Sequence, residues 1–167
     1  MALVDGILEE LEREAQTTRR VLERVPDDRL SWRPHAKART LGELAVHVAT
    51  LTGAVAKLAA SPSPAQIPDF VDAPVPPAAT RLVPMLDESL ADVKQALGSM
   101  DDAELTATWR LMGGERELVS LPRITFVRSV MLNHWYHHRG QLTVYLRELD
   151  VPIPSIYGPS ADEHPFL

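Results

Sequence analysis

The most informative stretch of this sequence runs from residue 133 to residue 141 and reads NHWYHHRGQ. It falls inside a segment whose other residues are typical of a long helix. At about 100° per residue, His134 and His138 lie one above the other on the same helix face, where their imidazoles could bind one metal ion. His137 offers a second pairing with His134 at a spacing of three, although the spacing of four is favoured. Histidines at a wet helix surface are the alternative interpretation.

The histidine pair interrupts an apolar band that predicts one inward helix face. The helix is expected to open near Pro122, which suits a first helical position. The residues of the band recur at spacings of four and three: Val127, Met131, His134, His138, Leu142, Tyr145 and Leu149. Buried imidazoles need partners, because unpaired buried polar groups are costly. Gly140 within this helix predicts the close approach of a neighbouring helix.

Three further segments carry the periodicity of amphipathic helices. They cover about residues 2–24, residues 40–60 and residues 80–98. The second begins with a capping box formed by Thr40 and Glu43. His47 lies on or near its apolar face. Such a histidine is more often a hydrogen-bonded core residue than a metal ligand, but an inward histidine pair on another helix needs a third ligand.

The connections between these helices are long and differ in character. Residues 61–79 are rich in proline, which excludes a helix and predicts a stiff connection across the surface. Residues 106–121 place Gly113-Gly114 between apolar runs, so that a small hairpin and an irregular loop are equally compatible. Residues 150–167 predict an extended tail. We therefore expect an all-α chain: a four-helix bundle with long connections and an extended C-terminal tail, in one domain over residues 1–167.

Composition excludes several classes of function. The formal net charge of −6 disfavours nucleic acid as a partner. The chain has no cysteine, which excludes disulfides, thiolate ligands and a cysteine nucleophile. Any thiol chemistry would need a thiol as co-substrate. We see neither a signal peptide nor an apolar run of roughly 18 residues, so we expect a cytoplasmic protein with no membrane contact.

Three blocks of the sequence resemble the DinB/YfiT-like family. They are LGELAVH at residues 41–47, the HxxxHRGQL pattern at residues 134–142, and PSIYGPSADE at residues 154–163. The resemblance spans nearly the whole chain. It implies a four-helix bundle, commonly dimeric, that holds a divalent metal through three histidines. Matched by motif, these ligands would be His47, His134 and His138.

The resemblance also implies a chemistry. Characterised relatives use the metal in thiol-dependent reactions, either transfer of a low-molecular-weight thiol or thiol-dependent isomerisation. We therefore expect a metal-dependent enzyme that transfers a small thiol to an electrophile, in detoxification or a stress response, and that forms a homodimer. Metal-assisted hydrolysis and a non-catalytic metal-binding stress protein are the alternatives. Imidazole ligands suit zinc, nickel, iron and copper, so the sequence predicts one divalent transition metal, such as Zn, Ni or Fe, without choosing it.

No catalytic residue other than the ligands is assigned. Candidates for a role beside the metal or in a pocket are Trp32, Asn133 and Tyr157. A tryptophan in a polar loop, such as Trp32, more often caps an edge of the core than lines a binding pocket. A fourth ligand would have to come from a carboxylate or from one of three poorly placed histidines: His35, His137 and His164. We expect three protein ligands, with access from the loop-rich end of the helices, bordered by Trp32 and the proline-rich segment.

Overall fold

The computed structural model describes residues 2–69 and 71–165. Met1, Phe70, Phe166 and Leu167 lie outside the described residues, and the last two belong to the predicted tail. Four long helices dominate, with two short ones: α1 (Leu3–Leu22), α2 (Leu41–Ala60), α3 (Leu82–Leu97), α4 (Asp102–Thr106), α5 (Arg123–Phe126) and α6 (His134–Glu148). Single 3₁₀ turns lie at Asp27–Arg29 and Ala79–Arg81. The prediction of a mostly helical chain is confirmed.

A small sheet is the departure from the all-α prediction. Its strands are β1 (Ala65–Gln66), β2 (Thr108–Gly113) and β3 (Arg116–Pro122). β2 and β3 form an antiparallel hairpin, which confirms that alternative over an irregular loop, and β1 pairs with β2 in parallel. The turn falls one residue later than predicted, at Gly114 and Glu115. Gly114 has φ +62°, a conformation that favours glycine.

The buried apolar residues form one cluster to which every long helix contributes. α2 packs against α3 and α6, and α1 packs against α3 and α6. Gly53 of α2 allows α3 to approach closely, because a Cβ at this position would lie 2.9 Å from the carbonyl oxygen of Ser89. Among the described residues, nothing lies within 4 Å of a Cβ built on Gly140. The predicted close helix approach at Gly140 is therefore wrong.

α2 is the most apolar of the long helices. By length and composition it is the one helix in the described part of the chain that could cross a membrane, with a mean hydropathy of 1.2. However, 67% of that stretch is buried inside the protein, as in the core helix of a soluble protein. Its predicted capping box is confirmed: Glu43 N donates to Thr40 Oγ1 at 3.1 Å, and Thr40 N donates to Glu43 Oε2 at 2.6 Å.

A π-helical segment, Val127–Asn133, joins α5 to α6. A π-helix has wider turns than an α-helix, so the residues that follow it are rotated relative to a continuous α-helix. The buried residues of α6 accordingly share only Leu142 with the predicted band: they are Trp135, Arg139, Leu142 and Leu146. His134 and His138 are only half-buried, at the edge of this stripe. The predicted inward face was therefore displaced by one residue over most of α6.

Candidate metal centre

Three histidines meet between α2 and α6. His47 projects from α2, while His134 and His138 project from the start of α6. One ring nitrogen of each lies within 4.8 Å of those of the other two. The ring centroid of His138 is 4.5 Å from that of His47 and 4.5 Å from that of His134. The structure therefore brings together the three residues that the sequence selected, and their geometry could hold a metal ion.

Each histidine also has a hydrogen-bond partner outside the cluster. His47 Nδ1 lies 2.7 Å from Asp72 Oδ1, and His138 Nδ1 lies 2.7 Å from Gln141 Oε1. His134 makes a hydrogen bond to the backbone of Val130. A carboxylate or amide oxygen can only accept, so the Nδ1 atoms of His47 and His138 carry the proton. Their Nε2 lone pairs are then free to bind a metal, and such outer partners fix the orientation of metal-binding imidazoles.

The inner nitrogens of the cluster lack satisfactory partners. His134 Nε2 and His138 Nε2 are 2.7 Å apart. If both rings are neutral with their protons on Nδ1, these two lone pairs face each other without a donor. His47 Nε2 is buried and has no hydrogen-bond partner among the described residues. A cation that accepts all three lone pairs would remove these costs, so the donor set fits a metal ion.

The electrostatic surroundings keep two of these imidazoles neutral. Burial lowers the pKa of His134, and the neighbouring His47 lowers it further. Burial likewise lowers the pKa of His138, to about 4, although the hydrogen bond with Gln141 opposes this shift. Both rings are therefore unprotonated near neutral pH. Neutral imidazole is the form that binds metals.

Three residues beside the histidines were not predicted: Arg39, Asp72 and Gln141. Arg39 forms an ion pair with Asp72, which also holds His47. Burial works against ionisation of Asp72, but hydrogen bonds from Arg39 and His47 outweigh it and keep the pKa of this carboxyl below its usual range. Gln141 follows His138 by three positions, so helix geometry alone could have identified it. Asp72 lies in the proline-rich segment, where no local pattern indicates its position.

A cavity of about 230 Å³ adjoins the cluster on one side. His47 and His134 line it, together with Arg39 and Asp72. The remaining lining is mostly apolar and comprises Thr50, Leu51, Ala54, Val55, Val71 and Val130. Val71 and Asp72 belong to the proline-rich segment, so its predicted place at the border of the site is confirmed.

The other residues singled out from the sequence lie elsewhere. Trp32 packs edge-on against Tyr145, with ring centroids 5.6 Å apart, and does not line the cavity. The hydroxyl of Tyr157 contacts Glu14 and Arg139 rather than the histidines. Asn133 is exposed. Within residues 2–69 and 71–165, no fourth side chain joins the cluster.

Comparison with known proteins finds similarity over nearly the whole chain. The family model described as the DinB family matches residues 2–164. Uncharacterized protein YrdA of Bacillus subtilis (strain 168) is 28% identical over 161 residues, which cover 96% of this chain and 91% of that protein.

Solved structures share the fold. A DinB-like protein from Bacillus cereus ATCC 10987 matches with a TM-score of 0.74 at 25% identity, over 92% of this chain and 97% of that one. A solved structure from Exiguobacterium sibiricum 255-15 matches with a TM-score of 0.62 at 24% identity, over 93% of this chain and 95% of that one. Because the family model spans nearly the whole sequence, this chain belongs to the DinB family.

Proposed function

We propose that this protein is a divalent-metal-dependent enzyme whose active site is the three-histidine cluster. The observation that supports this most strongly is the cavity of about 230 Å³ beside His47 and His134. A metal that only stabilises a fold is enclosed by protein ligands, whereas a catalytic metal keeps coordination positions for substrate or solvent. Three convergent imidazoles next to a cavity correspond to the second arrangement.

The residues around the cavity have distinct tasks in this proposal. Asp72 and Gln141 hold the Nδ1 protons of His47 and His138, which keeps the Nε2 atoms turned inward. Leu51, Val55 and Val130 exclude water from the space beside the cluster. A bound divalent metal would supply Lewis acidity, which lowers the pKa of a coordinated thiol or water.

The reaction we favour is transfer of a low-molecular-weight thiol to an electrophile. The thiol releases its proton to solvent, its sulfur forms a bond to an electrophilic carbon, and the leaving group departs from that carbon with the bonding electron pair. Because the chain has no cysteine, the thiol must enter as a co-substrate. Membership of the DinB family supports this choice through the thiol-dependent reactions of characterised relatives. Hydrolysis would use the same site with water as the nucleophile.

Metal binding is tested first, by elemental analysis of protein purified without an affinity tag. We expect one transition-metal ion per chain. His134→Ala should lose the metal, because it removes one of the three inner nitrogens. His137→Ala is the matched control, since His137 is exposed on the same helix and lies outside the cluster. Equal metal content in His134→Ala and wild type would refute the ligand assignment.

Catalysis is tested by supplying the metal-loaded protein with an activated aryl halide, a panel of cellular thiols and, separately, an activated ester. We expect thioether formation that His134→Ala abolishes and His137→Ala retains. Ester hydrolysis with the same dependence on His134 would favour the hydrolase. A protein that binds one metal and accelerates neither reaction would be a non-catalytic metal-binding protein.

We also propose the assembly that the family resemblance implies, in which the four long helices form a four-helix bundle and two chains form a homodimer. Sedimentation equilibrium of the metal-loaded protein tests the dimer. A single species with the mass of one chain, 18.5 kDa, would exclude it.

A further inference from the structure

A polar depression adjoins the cavity of the metal centre. It is formed by the loop before α2 and by the proline-rich segment, and its lining includes Arg33, Lys37 and Arg39. Arg39 and Asp72 line both the depression and the cavity. The two spaces therefore meet at this ion pair, directly beside His47.

The charge around this depression is opposite to that of the whole chain. The lining of the depression holds three cationic side chains, Arg33, Lys37 and Arg39, against two carboxylates, Glu43 and Asp72, which leaves a formal excess of one positive charge. The formal net charge of the chain is nevertheless −6. A local positive field in an acidic protein attracts small anions to that place.

The positive charge of the depression is only partly neutralised. Glu43 accepts a hydrogen bond from the backbone of Thr40, and Asp72 is shared between His47 and Arg39. Within the described part of the chain, neither Arg33 nor Lys37 has a carboxylate within the 4.0 Å of an ion pair. Two cations are therefore available to a ligand at the entrance to the metal centre.

We propose that the molecule on which the metal centre acts is a small anion. Its head group, a carboxylate or a phosphate, binds Arg33 and Lys37, while its apolar portion enters the cavity beside His47 and His134. The cavity of about 230 Å³ has room for an apolar portion of about six carbon atoms, since an apolar cavity of roughly 150 Å³ can hold benzene. This assignment rests on the proposed function for the reactive centre, although the head group itself needs no metal.

The head group is tested with three probes that share one alkyl chain: hexanoate, hexyl phosphate and 1-hexanol. Calorimetric titration of the full-length, metal-loaded protein should show at least one anion binding about fivefold more tightly than the neutral alcohol. The tighter anion tells a carboxylate ligand from a phosphate ligand. If neither anion binds more tightly than hexanol, the proposal is overturned.

Two double variants test whether anion binding depends on Arg33 and Lys37 or only on the net charge of the protein. Arg33→Gln/Lys37→Gln should weaken the better anion roughly fivefold, as expected for two exposed ion pairs, and leave hexanol unchanged. Arg13→Gln/Arg116→Gln removes the same charge from exposed positions outside both spaces and should leave the anion affinity as in wild type. An equal loss in both double variants would mean that only net charge matters, which would overturn the proposal.

Repeating these titrations with chelator-treated protein tests the anion site separately from the metal-dependent function. Arg33 and Lys37 are not ligands, so the difference between wild type and Arg33→Gln/Lys37→Gln should persist without metal. A protein that binds no metal but keeps this difference would refute the metal-dependent function and retain the anion site. A protein that binds metal through His134 but shows no such difference would overturn the anion site alone.

Discussion

Two polar clusters lie next to each other on α6, and they differ in how completely their hydrogen bonds are satisfied. The arginine cluster centres on Arg139, which is 1% exposed. Its guanidinium donates to the carbonyl and carboxylate oxygens of Glu14 at 3.1 and 2.6 Å, to Thr18 Oγ1 at 3.1 Å and to the hydroxyl of Tyr157 at 2.5 Å. The histidine cluster, whose His138 directly precedes Arg139, leaves three inner nitrogens to face one another.

This difference in hydrogen bonding distinguishes a cluster that stabilises the fold from a cluster that could bind a ligand. The hydroxyl of Tyr157 accepts from Arg139 and donates to Glu14 at 2.8 Å, while the rings of Tyr136 and Tyr157 lie 5.3 and 5.2 Å from the guanidinium carbon. Each polar group in the arginine cluster thus has a partner, and the tail is held to α1. The inner nitrogens of the histidine cluster lack such partners, and a cation could complete it. Buried polar groups that do not satisfy one another indicate where a ligand binds.

The largest effect on stability is expected from Arg139→Met. The substitution leaves the Glu14 carboxylate, whose side chain is 16% exposed, without its cation. We expect the free energy of unfolding to fall by about 3 kcal/mol, as for other broken buried ion pairs. Urea denaturation of metal-free protein measures this loss, with His138→Ala as the comparison. His138→Ala should cost less, because it removes an unmatched lone pair. An equal or larger loss in His138→Ala would contradict the contrast between the clusters.

Metal removal should have the next largest effect, and only through the histidine cluster. A ligand that binds only the native state, present at 100 times its Kd, contributes about 2.7 kcal/mol. Chelation should therefore lower the Tm while the helical circular dichroism signal at room temperature stays unchanged, because the apolar core folds without metal. His134→Ala should show no response to the chelator. Unfolding of the wild type at room temperature on chelation would make the metal a requirement for the fold.

Asp72→Asn should weaken metal binding about tenfold, since outer partners of ligating histidines typically contribute at least this much. The variant keeps an oxygen that accepts from His47 Nδ1 but loses the carboxylate charge. Competition with a chromophoric chelator measures the affinity. Asp69→Asn is the matched control, because Asp69 is exposed in the same proline-rich segment. If both variants bind metal as tightly as wild type, Asp72 has no role in tuning His47.

The smallest effect is expected from Arg147→Gln. This arginine lies two turns after Arg139 on α6, but its ion pair with Asp162 is exposed to solvent. Solvent screening makes such pairs contribute little to stability. Thermal and urea unfolding should therefore match wild type within experimental error. A loss as large as that of Arg139→Met would show that burial does not distinguish the two arginines.

Local sequence was sufficient to predict most of the helices and the pairing of two histidines of the cluster. Apolar periodicity indicated α1, α2 and α3, and the capping box of Thr40 and Glu43 located the start of α2. The pairing of His134 with His138 follows from helix geometry, which depends only on residues a few positions apart. His47 was predicted to point inward for the same reason. Its meeting with the other two histidines, by contrast, came from the family resemblance.

The π-helical segment is where local reasoning was wrong. A uniform period of 3.6 residues places His134 and His138 within the buried stripe, but the wider turns of residues 127–133 rotate Trp135 and Arg139 into it instead. Trp135 then donates its indole N–H to the carbonyl of Val48 at 2.9 Å. This packing against α2 involves residues 87 positions apart, so no periodicity within α6 could reveal it.

Short-range geometry thus determined which residues could bind a metal, whereas the tertiary structure decided their surroundings. Asp72 reaches His47 across 25 residues, and β1 pairs with a strand more than forty positions away. The proline-rich segment has no hydrophobic period, so its path depends on contacts with distant residues such as Arg39 and Leu111. The position of Asp72 next to His47 and the shape of the adjoining cavity both depend on that path. Neither could be predicted from the chain alone, because both result from contacts between parts of the sequence that meet only after folding.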